Sequence, residues 1–213
     1  LQKQLLLYIL AVYFDKMGSI EQITAIFLQN GGYARTKDIL DAGLNHYYLA
    51  KLEKEGKIIK VKRGLYRLLS VSVDDELAEV QRLVPDGVIC LFSAWAYYGL
   101  SDFVPPQYHV AIEKSKKVVL PEYPPIKLYY WSQQYWEAGV EKVAIDGHPV
   151  AIYNKEKSVC DAIKFRNKIG KETEKEILEN YLKQKERNID LLLQYAKQLR
   201  VDKQIKSYLS ILL

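Results

Sequence analysis

One stretch constrains this chain more than any other: residues 30–69, NGGYARTKDILDAGLNHYYLAKLEKEGKIIKVKRGLYRLL. It holds nine Lys and Arg against four Asp and Glu, a net +5, which equals the formal charge of the whole 213-residue protein. The flanking segments balance, so the entire positive excess sits in one module. A neutral body carrying a single basic module fits a polyanion-binding head joined to a part with another task.

The pattern inside the stretch supports that reading. A helix opens at Ser19, which can cap it, with Ile20, Ile23, Ile26 and Phe27 recurring at helical spacing, and Gly31-Gly32 stops it. Thr36 is read as the N-cap of a short helix over residues 37–42 with Ile39 and Leu40 inward. Gly43 makes the turn, and Asn45 is read as the cap of a second helix to about Glu55, burying Tyr48, Leu49 and Leu52. Residues 57–61 and 65–68 predict two strands joined through Lys62-Arg63-Gly64. Helix, helix, turn, helix and hairpin in this order predict a winged helix-turn-helix over residues 19–70. Candidate DNA contacts are Arg35, Thr36, Asn45, His46, Tyr47, Lys51 and Lys54 on the helices, with Lys60, Lys62, Arg63, Gly64 and Arg67 on the wing. Asn45 suits either a cap or an adenine contact, and Tyr47 either stacking or packing. A Lys-rich strand edge that merely resists aggregation is the plainer alternative.

With 49% hydrophobic and 27% charged residues, the chain has material for one or two cores. Cys90 and Cys160 stand seventy positions apart with no CxxC or Cys/His cluster. They predict buried thiols rather than a disulfide or zinc site, and a reducing, cytoplasmic setting. The apolar run over residues 5–14 is too short to span a bilayer, so no membrane partner is expected. Met17 is the sole methionine, so residues 1–18 are read as an N-terminal extension lying mostly upstream of a natural start at Met17; a short packed helix is the rival reading.

Residues 71–213 predict an α+β body: a helix over 75–84, an apolar run at 88–92, and a helix at 93–99 capped by Ser93. Strands follow at 108–112, 118–120, 127–131, 143–145 and 149–153, the last two around an Asp146-Gly147-His148 turn. Helices over 156–166, 172–185, 189–199 and 202–213 close the chain. Tyr123, Trp131 and Trp136 stay open between core and contact roles, with core or strand packing favoured for most of them. The fold class is therefore α+β, a winged helix-turn-helix followed by a mixed α/β domain ending in helices.

The residues over 30–69 resemble the winged helix of the AbiEi-type antitoxins of type IV toxin–antitoxin (abortive infection, phage defence) systems. The resemblance continues through residues 88–100, 105–111, 153–161 and 165–170, covering about residues 19–210. It implies a DNA-binding transcriptional regulator that represses its own promoter at inverted repeats, with self-association on DNA. It also implies a C-terminal domain counteracting a nucleotidyltransferase-like toxin, with a stable complex left open. A protein- or RNA-interaction module without operator-specific DNA binding is the alternative.

In the body, Lys155, Lys157, Asp161, Lys164, Arg166 and Lys168 are the candidate antitoxin surface. Capping and salt bridges at a strand-to-helix junction are the competing explanation of the same residues. His46, His109 and His148 are isolated, so no metal and no cofactor is expected. No Walker, GxGxxG, GxSxG or HExxH motif is present, and no enzyme is predicted.

Overall fold

The computed structural model describes residues 18–70, 76–121, 123–145 and 147–212. The expectations for residues 1–17, for the linker and cap at 71–75, and for Asp146 of the hairpin turn lie outside the described residues. Contacts divide the chain into two compact units between Val73 and Asp74.

The N-terminal unit begins with α1 (Ser19–Gln29), then β1 (Tyr33–Arg35), α2 (Thr36–Asp41), α3 (Tyr47–Lys54), β2 (Ile58–Lys62) and β3 (Leu65–Leu68). The cap of α1 is Gly18 rather than Ser19, its N–H donating to the Glu21 carboxylate at 3.1 Å. Tyr33–Arg35 reads as a mere lead-in to a helix but forms a strand on β3, giving an antiparallel sheet in the order β1-β3-β2. Ile23, Phe27 and Ile39 are fully buried, with Leu49, Leu52, Ile58 and Leu68 around them. Each such side chain taken from water stabilises by about 1.5–3 kcal/mol. Leu40, read as inward, is 52% exposed, because the six-residue α2 turns only Ile39 to the core.

The second unit opens with α4 (Glu76–Leu83), β4 (Val88–Ile89), α5 (Leu91–Tyr97), β5 (Tyr108–Glu113) and β6 (Ile126–Trp131). It continues through α6 (Gln133–Glu137), β7 (Val140–Ile145), β8 (His148–Tyr153), α7 (Lys155–Ile169), α8 (Lys171–Lys183), α9 (Ile189–Gln198) and α10 (Asp202–Leu212). Its mixed sheet runs β6-β5-β4-β8-β7, with β5/β6 and β4/β8 parallel and the other pairs antiparallel. Residues 118–120 form no strand: Val119 is 78% exposed, and β5 already has β4 and β6 as its two neighbours. Ser93 caps nothing. It lies inside α5, buried, and its hydroxyl accepts from the His109 N–H at 2.9 Å. Trp131 is core, but Tyr123 is 66% exposed. Cys90 and Cys160 are buried free thiols.

The first half of α7 is the axis of the helical layer, with residues 156–163 buried throughout. Trp95 donates its indole N–H to the Ser158 carbonyl at 2.9 Å, and Glu156 accepts from the Tyr181 hydroxyl and the Asn188 N–H at 3.1 and 3.0 Å. Asn154 caps the helix by accepting from the Lys157 N–H at 2.9 Å.

His109 gives this unit an acid-sensitive point. Its ring shares a 3.0 Å hydrogen bond with the Tyr129 hydroxyl and packs beside Phe92. Burial, and secondarily Lys127, lowers its pKa from 6.5 to about 4. The folded state therefore resists a proton that the unfolded chain accepts, so stability is full above about pH 6.5 and falls as pH drops toward 4. His109→Gln is expected to flatten this dependence by about 2–3 kcal/mol between pH 7 and 4 in denaturant titrations. An unchanged slope would remove His109 as its source.

Candidate nucleic-acid interface

Three short elements build the basic face. The turn between α2 and α3 is closed by backbone bonds from Gly43 N to Leu40 O at 2.9 Å and from Leu44 N to Ile39 O at 3.0 Å. Buried Leu44 plugs that turn into the core. Asn45 accepts from the Tyr47 N–H at 2.8 Å, so its carbonyl oxygen opens α3 while its amide group stays at the exposed end. α3 buries Leu49 and Leu52 and leaves His46, Tyr47, Lys51 and Lys54 outside; Tyr47 is 62% exposed and meets Tyr48 edge-on.

The wing folds back onto the start of α2. The Thr36 N–H donates to the Gly64 carbonyl at 3.0 Å, and Gly64 holds a φ of +74°, a conformation an L side chain rarely adopts. β2 carries an irregularity between Lys60 and Lys62, so Lys62 and Arg35 both register against Leu65. Two cations are thereby brought to the same level of the sheet. The Lys62 pKa is lowered first by burial and then by the Arg35 guanidinium. A clustered positive charge of this kind is relieved by an anion.

Among the twelve sequence-derived contact residues, Arg35, Asn45, His46, Tyr47, Lys51, Lys54, Lys60 and Arg63 are exposed; Thr36, Lys62, Gly64 and Arg67 are half-buried. The structure brings Arg35, Thr36, Lys62, Arg63 and Gly64 together at the wing, with Lys51 and Lys54 on the exposed side of α3. Lys57 pairs with Glu55 at 2.8 Å, which leaves that end of the hairpin closer to neutral.

The candidate surface on the body is rearranged more. Lys157 and Asp161 are wholly buried and paired at 2.7–2.8 Å, so neither belongs to a surface. They sit on the helix face turned into the core, where an i,i+4 spacing lets one neutralise the other. Lys164 and Lys168 are exposed, and Lys155 and Arg166 half-buried. Lys164 donates to the Leu199 carbonyl at 3.2 Å and Arg166 to the Ile163 carbonyl at 3.0 Å. Among the described residues no cluster of three or more His, Cys, Asp or Glu could hold a metal ion, and no helix is long and apolar enough to cross a membrane.

A helix-turn-helix with a basic wing defines a winged-helix regulator. Residues 21–69 match the family model described as the AbiEi antitoxin, a transcriptional regulator. Nothing among curated protein sequences matches the chain. A crystal structure of the RV2827C protein from Mycobacterium tuberculosis is similar over 84% of this chain and 75% of that one, at 10% identity and a TM-score of 0.48.

Proposed function

We propose that the protein is the antitoxin and transcriptional autorepressor of a type IV toxin–antitoxin system, acting in the cytoplasm. Residues 19–70 bind inverted repeats in its own promoter, and two copies bind them cooperatively. Residues 71–213 counteract a nucleotidyltransferase-like toxin.

The observation that carries this reading is a coincidence of charge and fold. The chain's whole positive excess lies in the winged helix, the part that matches a transcriptional-regulator family. In this reading α3 enters the major groove, Asn45, His46, Tyr47 and Lys51 face base edges, and Lys54, Arg35, Thr36 and the wing residues grip phosphate. The coupling to a toxin rests on the family's description as an antitoxin.

The test is a binding titration of the full chain on the duplex immediately upstream of its own gene and on a scrambled duplex of equal length. The operator is expected to bind at least about a thousandfold tighter at physiological salt. Equal affinity for the two duplexes would sink operator recognition and leave a general interaction module.

A further inference from the structure

We propose that the C-terminal unit carries an anion site for a phosphate monoester, in the cleft between α6, α7 and the junction of α9 with α10. The cleft holds about 250 Å³ and is lined by Ser132, Gln134, Tyr135, Lys164, Gln198 and Arg200, with Leu199 between the last two. Two of these are cations and none is a carboxylate. Among the described residues neither cation makes an ion pair. Sites for whole organic ligands usually run from about 300 to 1,000 Å³, so this one suits a phosphoryl group with the remainder of its ligand outside.

The site is held in place from beneath. Asp161, fully buried and bonded to Lys157, accepts from the Tyr135 hydroxyl and so fixes that ring as a wall of the cleft. The Lys164 ammonium lies 4.7 Å from the Tyr135 ring centroid and donates to Leu199 O at 3.2 Å. Two of its three N–H bonds then remain for an incoming anion. Arg200 stands at φ +60°, one residue past the helix-ending Leu199, a place where glycine is the usual occupant. An arginine there is strained where a glycine would not be, and it sets a guanidinium fork at the cleft's edge. Ser132 and the two glutamines add neutral donors around a tetrahedral anion. The cleft belongs to the C-terminal unit alone, so this assignment stands or falls independently of promoter binding.

The test adds inorganic phosphate, and separately adenosine 5′-monophosphate, to the full chain at constant ionic strength with chloride as the reference, read by melting temperature and tryptophan fluorescence. Both ligands are expected to raise the melting temperature saturably above the chloride reference. Lys164→Gln with Arg200→Gly is expected to weaken binding about tenfold or more, each lost charged hydrogen bond carrying a factor of that order. Arg200→Gly alone relieves the backbone strain, so it should bind less well while melting no lower without ligand. Lys114→Ala with Lys117→Ala, exposed lysines of the same unit outside the cleft, should bind both ligands unchanged. A tighter grip on the nucleotide than on phosphate makes a nucleotide the source of the phosphoryl group, and equal affinities mean that the group alone is read. Failure of the nucleotide where phosphate binds overturns the monoester assignment. Equal effects of chloride and phosphate, or loss of binding in the Lys114 and Lys117 variant but not in the cleft variants, overturn the site.

Discussion

Lys157→Ala is expected to remove about 3–5 kcal/mol of stability from the C-terminal unit, since it strands a buried charge. The Asp161 carboxylate has no exposed surface and takes both oxygens' main partners from Lys157, at 2.8 and 2.7 Å. The ammonium in turn lies 4.1, 4.0 and 3.9 Å from the ring centroids of Trp131, Tyr135 and Tyr153. A desolvated cation over an aromatic face is stabilised by about 2 kcal/mol or more, so the cage offsets part of what burial costs the lysine. Burial lowers the Lys157 pKa and raises that of Asp161, and the attraction between them opposes both shifts. The stem of Lys157 also fills its slot closely. A Cβ added at Gly139, whose φ is +75°, would come within 2.6 Å of Lys157 Cβ. Lys157→Met with Asp161→Leu removes both charges at similar volume and should recover most of the loss, because the penalty belongs to the unpaired partner rather than to the missing pair. All three tryptophans lie in this unit, so their fluorescence in denaturant titration follows its unfolding. A Lys157→Ala loss below about 1 kcal/mol would mean that the pair is solvated or readily replaced.

The same pair shows where reading the residues in order stops being sufficient. The N-terminal unit is local: its turns carry glycine, its helices carry apolar residues at three- and four-residue spacing, and each strand neighbours the next in sequence apart from Tyr33–Arg35. That strand was hidden because three residues have no measurable period, and its partner β3 lies thirty positions on. Leu40 misled for a similar reason, a six-residue helix being too short for its buried face to follow from spacing. In the body, Val118–Leu120 has the composition of a strand, yet pairing is a property of neighbours, and no open edge meets it. Lys157 and Asp161 look like a solvated charge run because charge ordinarily implies water. What reverses that is an aromatic cage assembled from β6, α6 and β8, residues that stand between four and twenty-six positions away. The i,i+4 spacing of opposite charges was the one legible hint, and it fits an exposed pair equally well. The cleft beside Lys164 was hidden too, since Arg200 gains its meaning only from a positive φ.

Lys62→Ala with Arg63→Ala is expected to lower affinity for the promoter duplex about ten- to a hundredfold at low salt and to make the slope of log K against log salt shallower by about 2. The wing should survive the change. Leu65 and Leu68 anchor the hairpin in the core, and the Gly64 carbonyl still receives the Thr36 N–H at 3.0 Å. Lys62 has more to lose than an isolated surface lysine, because burial and Arg35 already disfavour its charge and a phosphate oxygen at that place would relieve both. Removing it should therefore also ease the Arg35 guanidinium and soften the loss slightly. Lys51→Ala and Asn45→Ala on α3 offer the contrast. If α3 reads bases, they should cost about 1–3 kcal/mol on the operator and much less on scrambled DNA, whereas the wing variant should weaken both duplexes alike. A wing variant with an unchanged salt slope would show that Lys62 and Arg63 do not meet phosphate. In that case Lys62, at the end of β2, and Arg63 in the turn after it serve the sheet edge, keeping it from pairing with another chain.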